Sequence, residues 1–491
     1  MSAVPTREQA AEQRGIDPEL RRLAIVVLLG AIMTILDTTI VNVAVTTLGK
    51  DFDASLSSIQ WVMTGYTLAL SMAIPLTGWS VRRFGARTMW LTSIALFISG
   101  SLLCGLAWSV PALITFRILQ GVGGGMLMPI GQTVLARAAG PDRMGRVMTI
   151  VSVPAMLAPV LGPLLGGVIL DSVSWRWLFF INVPFCALAL AAALRMMPRD
   201  AERDPSAPLD LVGMLLLSPG LAALVYGLAQ AGEGTGLSSS RFLAGIGAGA
   251  VLVAAFVAHA LRKGAGALID VRLLRDRSFA AATGGLFAYC VPVFGLTVLL
   301  PLFSQVVRGE SPMEAGWLIS PLGLGAMLTM TVAGRMTDRY GARWIATAGV
   351  ALVLAGALVL TRIDPSTGRP ALMAVMLVIG LGHGAVSPVL MAAAYQGIPR
   401  ESVPAATTGA SILIRVGSSF GTAILAIVLQ IMIRDHVPGA TGNLREAVTH
   451  RTARMPAQLT AAFTDTFWWA AVILAVTLIP VLLVPRRGGT R

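Results

Sequence analysis

Charge is what this chain has least of. Lys, Arg, Asp and Glu make up 12% of its 491 residues, against roughly 25% in a soluble domain, and that scarcity excludes an ordinary water-soluble fold. Apolar residues supply 55%, so the chain reads as an all-α polytopic membrane protein whose partner is the lipid bilayer. Acids are rarer than bases, 24 against 37. The net charge of +13 would suggest nucleic acid in a soluble chain, but it lies in short turns and not on one face, which excludes that partner. Cysteine is scarce too. Cys104, Cys186 and Cys290 fall inside apolar runs without CxxC spacing, so neither a disulfide framework nor a metal site is expected. No HExxH or P-loop pattern occurs, and the GxSxG match at Gly417 to Gly421 (GSSFG) lies within an apolar helix instead of following a strand, which argues against an enzyme, a bound cofactor and ATP as energy source. A cleavable leader is not expected either: Met1 to Arg22 is polar, and the apolar run after it has spanning length and no small-residue cleavage site.

What is present is a repeat. Gly78 to Arg87 reads GWSVRRFGAR and returns 256 residues later, at Gly334 to Arg343, as GRMTDRYGAR. Each copy follows one apolar run and precedes another, so each is a turn between spans. Gly121, Gly123, Gly125 and Pro129 return at Gly380, Gly382, Gly384 and Pro388, and Ala158 and Gly162 map onto Gly417 and Gly421. Such echoes point to two fused repeats, a common plan for secondary transporters.

A bilayer core of about 30 Å needs roughly 20 apolar residues per helix. Runs that qualify lie near 23–45, 59–79, 89–107, 111–136, 147–170 and 175–196, then 211–230 and 242–261, then 279–304, 315–334, 344–361, 371–395, 405–433 and 464–485. The expected plan is fourteen spans. A cytoplasmic segment 1–22 precedes an N-terminal six-helix half (23–196), a linker with two inserted spans (197–278), a C-terminal six-helix half (279–485) and a cytoplasmic tail (486–491). Asp17, Pro18 and Glu19 mark the start of the first helix. With the N-terminus inside, the inner segments hold 25 Lys and Arg and the outer loops 10, which places both termini in the cytoplasm and the protein in the cytoplasmic, or inner, membrane.

Polar groups at membrane depth carry the chemistry, because they are costly there. Asp37 is the one acid well inside a span, roughly 12 Å from its outer end, and Arg117 in span 4 lies at a similar depth, roughly 9 Å. Thr38, Thr39, Asn42 and Gln120 surround them, as an aqueous cavity would require. Asp37 suits proton coupling, since a cationic substrate competing for its carboxylate would expel the proton. The alternatives are a structural ion pair or an Arg117 that snorkels to the surface. Arg415, mid-span in span 13 with no acid in that span, reads equally as a substrate contact or a partner of backbone carbonyls. His383 within GxGxG reads as a packing residue. Pro159 and Pro163 favour a bend that makes span 5 a pivot. Trp175, Trp177, Trp468 and Trp469 read as interface anchors.

These residues resemble a known family. The turn GxxxDRxGxR is similar to the loop signature of the major facilitator superfamily. LDTTIVNVA, RILQGVGGG, GPLLGG, WRWLFFINVPF, DLVG (Asp210 to Gly213), LIDVRLLRDRSF and GSSFGTAI resemble its fourteen-span drug:proton antiporters, the EmrB/QacA branch. The resemblance covers about residues 23 to 485. It implies that Asp37 matches the acid of the first-span motif, Arg117 the arginine of the fourth, and Gly162, Pro163, Gly166 and Gly167 the antiporter motif of span 5. It assigns gating to Gly78, Arg83, Gly85, Asp338, Arg339 and Gly341. The first turn departs by carrying Arg82 where the pattern has aspartate, leaving Asp338 as the acidic half of a latch. Thr149 and Ala158 replace glycines of the long antiporter motif, and span 10 lacks the acid that some relatives use for dications. The expected function is efflux of amphipathic, cationic or neutral drugs in exchange for protons. Export of one endogenous product, such as an antibiotic or siderophore, is the nearest alternative, ahead of a non-transporting receptor or a membrane enzyme. The sequence names no accessory export protein.

Overall fold

A computed structural model describes residues 18–155, 158–200, 203–232, 239–396, 398–437 and 455–485, with every side chain in them except those at 46, 56–57, 140–160, 163, 231–232, 265, 312, 331, 338, 400 and 455. The described residues form helices and connecting turns, with no strand among them. The first is α1 (Pro18–Ile40), with Glu19 in its first turn, and the expected cap Asp17 lies outside the described residues. It passes through a 3-10 turn (Val41–Ala44) into α2 (Val45–Asp51). Then come α3 (Leu56–Ala73), α4 (Leu76–Phe84), α5 (Ala86–Gly105), α6 (Val110–Ala155), α7 (Ala158–Ser172), α8 (Trp177–Phe180) and α9 (Asn182–Met196). The two inserted helices are α10 (Leu211–Gly232) and α11 (Ser240–Lys263). The remainder are α12 (Arg277–Val307), α13 (Pro312–Tyr340), α14 (Ala342–Leu360), α15 (Arg369–Tyr395), α16 (Val403–His436) and α17 (Met455–Leu482).

Twelve of the described helices are long and apolar enough to cross a membrane, or thirteen counting the bent pair α3 and α4 as one span. The second expected span is therefore not one straight helix. Pro75 has no N–H to donate, and the two pieces meet at 55°. The fifth expected span, 147–170, crosses Met156 and Leu157, which lie outside the described residues. The sequence predicts a turn between spans 4 and 5, yet α6 runs unbroken over 46 residues. It is not straight. Gly162 follows Gln120 by 42 residues, about 60 Å along a straight helix, but Gln120 touches Asp37 and Gly162 packs on Thr39, two residues further on. The chain goes out and comes back.

Small residues set the spacing between helices, since lipid gives apolar side chains no reason to prefer one another. A Cβ on Gly121 or Gly125 would press on the carbonyls of Tyr66 or Leu70 in α3, and one on Gly123 on that of Ser93 in α5. Gly380 and Gly384 press in the same way on Leu322 and Ala326 of α13, and Gly382 on Gly349 of α14. α6 and α15 are each wedged between two neighbours. The outward faces stay apolar, as with Leu215, Val251 and Leu483, each more than half exposed. Of the four tryptophans read as interface anchors, Trp177, Trp468 and Trp469 are exposed, but Trp175 is buried. Its Nε1 donates to Asp51 Oδ2 at 2.7 Å, which draws the ring inward over Phe52.

Candidate functional site

Asp37 and Arg117 meet. Asp37 is 0% exposed and Arg117 1%, and Arg117 Nη1 lies 2.6 Å from Asp37 Oδ2. The other carboxylate oxygen, Oδ1, accepts from Gln120 Nε2 at 3.0 Å and Asn182 Nδ2 at 2.8 Å. Arg117 also donates to Gln120 Oε1 at 2.7 Å and, through Nε, to the Val62 carbonyl at 3.3 Å. Ser101 Oγ accepts from both amides, at 2.6 and 3.2 Å. The guanidinium stacks 4.1 Å from the Tyr66 ring centroid and 5.6 Å from that of Phe179. All three groups that touch Asp37 are donors, the arrangement an ionised carboxylate needs.

This cluster is drier than the sequence suggests. Thr38 and Thr39 donate back to their own helix, to the carbonyls of Ile35 and Leu36, and Asn42 is exposed on the 3-10 turn. Five residues on from Asp37, Asn42 falls about 140° round a helix of 3.6 residues per turn, off the face that carries Asp37, so the expected ring does not form among the described residues. The amide that does join is Asn182, at the start of α9, with Ser101 of α5. Sequence reasoning passed over both because it sought hydrogen-bonding partners only near Asp37 and Arg117 on their own two spans, and these come from two other helices. The only signal was a lone asparagine inside WRWLFFINVPF.

The antiporter-motif glycines bring α7 to the same place. A Cβ on Gly162 would overlap Thr39 Oγ1, and one on Gly166 would press on Ile40, whereas Gly167 has nothing within 4 Å. Pro159 and Pro163 lie in α7, with their side chains outside the described set. α7 thus rests on the point where α1 turns into its 3-10 segment.

The gating residues lie at the opposite end of the bundle, which carries both arginine turns. Gly85 and Gly341 hold the same conformation, φ 94°, ψ 155° and φ 86°, ψ 153°, which only glycine adopts without strain. Gly78 packs against Pro404 and Thr408 of α16. Beside it, Thr133 and Thr407 share a 2.7 Å hydrogen bond and Ser411 donates to Gln132 Oε1 at 3.3 Å. The two halves close here. The first turn is held from the linker: Asp200 accepts from the N–H groups of Arg87 and Thr88, both at 2.9 Å, capping α5. Arg83 and Trp79 donate to the Ala207 carbonyl. In the second turn Arg339 lies 5.3 Å from the Tyr340 ring, and the Asp338 side chain is outside the described residues.

Asp210 of DLVG ties the inserted helices to this end. It is 1% exposed and accepts from His259 Nε2 (2.9 Å), Lys263 Nζ (2.8 Å) and the N–H groups of Leu268 (2.9 Å) and Gly213 (3.1 Å). Burial works to raise its pKa, but Lys263, His259 and the two N–H groups outweigh burial and hold the carboxyl at about 2. Arg415 and His383 stand apart from the Asp37 cluster. His383 Nδ1 lies 3.0 Å from the Tyr289 hydroxyl, inside the C-terminal half. Among the described residues no group of three or more His, Cys, Asp and Glu is placed to hold a metal.

A multi-pass helical bundle with an ion pair sealed among its helices fits a solute transporter. The chain belongs to the Major Facilitator Superfamily, which it matches over residues 27–422 and again over 286–488. It is 36% identical to a multidrug resistance protein B homolog of Mycobacterium tuberculosis, over 99% of this chain and 94% of that protein. Its fold is similar to that of the human organic anion transporter MFSD10 (TETRAN), with TM-score 0.63 and 16% identity over 95% of this chain and all of the other. A double tryptophan mutant of XylE superimposes with TM-score 0.64 and 14% identity over 96% and 97% of the two chains. These two likenesses concern the fold alone.

Proposed function

We propose that this chain is a proton-coupled antiporter of the EmrB/QacA type that exports amphipathic drugs or toxic compounds across the cytoplasmic membrane. The observation that carries the reading is the placement of Asp37. A carboxylate held by Arg117, Gln120 and Asn182 releases that hold only if the helices around it move, and α7 presses on α1 two residues away. In the arrangement seen, the halves meet at the arginine-turn end. Export in exchange for protons requires Asp37 to take up a proton and leave Arg117 as the cargo departs on the outer side, and to give that proton up in the opposite arrangement, where the halves part at the arginine-turn end and new cargo enters from the cytoplasm. Protons are thus the coupling partner and a small amphipathic molecule the cargo.

Fourteen spans are supported by the path of the chain from Gln120 to Gly162, which leaves the Asp37 level and returns to it, making two crossings of what is recorded as one helix and its successor. The two-repeat plan is supported by the matching contacts of the glycine triplets and the shared backbone of Gly85 and Gly341. Cytoplasmic termini are supported by the arginine count. Several outer arginines are also neutralised: Arg176 pairs with Asp51 at 3.7 Å, and Arg308 and Arg369 pair with Glu310 at 2.9 and 2.8 Å.

The test is dye efflux from cells that lack their own pumps. Expression should lower dye accumulation, and an uncoupler should restore it. Efflux that persists with the proton gradient collapsed would overturn the coupling.

A further inference from the structure

We propose that Arg415 is the docking point for an acidic group on the cargo, so that the exporter carries amphipaths bearing a carboxylate or comparable anion. The inference rests on the efflux reading and narrows its cargo.

The sequence expectation of a cationic or neutral cargo leaves one charge unbalanced. Asp37 and Arg117 neutralise each other, but among the described residues no carboxylate lies within ion-pair distance of Arg415, and its Nε is buried without a hydrogen-bond partner. A guanidinium does not deprotonate in a protein. Arg415 is part-exposed, unlike the sealed Arg117, so its guanidinium is open to a partner that comes from outside the helix packing, and arginines inside membranes mark ion or substrate paths.

The position of Arg415 in the fold says where its partner comes from. Early in α16, Pro404, Thr407, Thr408 and Ser411 face the N-terminal half, against Gly78, Thr133 and Gln132. Arg415 stands four residues beyond Ser411, on the same helical face and about 6 Å further along. Gly417 and Gly421 present the opposite face, where a Cβ would press on the Phe287 and Val291 carbonyls of α12. Arg415 therefore looks into the space between the halves, just beyond the point where they close. It is close enough to Tyr66 of α3 for the two groups to interact electrostatically. Tyr66 is 1% exposed, and its hydroxyl also lacks a partner. The Tyr66 ring is the one that Arg117 stacks on, so an anion held by Arg415 lies next to the group that grips the proton-coupling carboxylate.

The test uses proteoliposomes with an imposed pH gradient and two related dyes: rhodamine B, which has a free carboxylate, and a rhodamine ethyl ester, which is a cation only. The wild type should carry the carboxylate dye. Arg415→Gln should carry it about tenfold more slowly or worse, the loss expected for one charge-assisted hydrogen bond, while ester flux holds. Arg415→Lys should keep part of the carboxylate flux, and Arg415→Glu should favour the ester. The carboxylate dye should also raise the melting temperature of the wild type and leave that of Arg415→Gln unchanged. Equal loss of both dyes in Arg415→Gln and Arg415→Lys would make Arg415 a packing residue and overturn the proposal. A wild type that carries only the ester would overturn it while leaving the efflux reading standing. Transport of neither dye would remove the efflux reading and this inference with it.

Discussion

At the scale of single residues, the Asp37–Arg117 pair sets the expectations. Removing one partner of a buried pair leaves the other charge stranded, at a cost of about 3–5 kcal/mol. Asp37→Asn should abolish drug-dependent proton exchange and lower the melting temperature of the detergent-solubilised protein. Adding Arg117→Gln should recover part of that stability without restoring exchange. A double variant whose stability loss equals the sum of the two single losses would show that the pair is not coupled. The charges of this site are legible in the sequence because an acid or arginine inside an apolar run stands out. Asn182, Ser101 and Tyr66 are not legible, since an amide, a hydroxyl or a phenol is common enough in a span to pass as packing. Only the fold shows which of them turn toward Asp37. Asn42 errs the other way: it is close in sequence, but a spacing of five residues sets it about 140° round the helix from Asp37.

At the scale of elements, α7 against α1 is the contact to disturb. Gly162→Val would drive a side chain into Thr39, and overpacking of about 1–3 kcal/mol in the moving arrangement should slow exchange by about tenfold. Gly167→Val, at a glycine with open space around it, should leave the rate unchanged. If the two variants behave alike, the contact is not used in transport. The linker gives a second test. Because the Asp210 carboxyl sits at about 2, below the ~3.9 of an unfolded chain, its contribution is complete above about pH 4 and fades as the pH falls toward 2. Melting temperature should drop across that window in the wild type. In Asp210→Asn it should drop less there and start lower at neutral pH, by about 2 kcal/mol of lost charged hydrogen bonds. Spans are the most legible part of the fold, because hydropathy is a sum over residues. The docking of Asp200 on the first turn and the Asp210 node depend on contacts between distant segments, and no local pattern announces them.

For the molecule as a whole, the closed seam between Thr133 and Thr407 predicts a lock. Cysteines at both positions, in a background without Cys104, Cys186 and Cys290, should cross-link under mild oxidation and stop transport, and reduction should restart it. Transport that continues in the cross-linked protein would mean that the halves do not part at this end. The seam lies at one end of the bundle and the dry Asp37 cluster nearer the other, so closure and sealing are separate features of the same arrangement. A carboxylate with permanent access to water on both faces would let protons run down their gradient, and the cell would lose its membrane potential through every copy of the protein. With Asp37 at 0% exposure, the arrangement seen denies that carboxylate water from either face, and on the proposed mechanism this lets a cell keep many copies in its membrane without short-circuiting it.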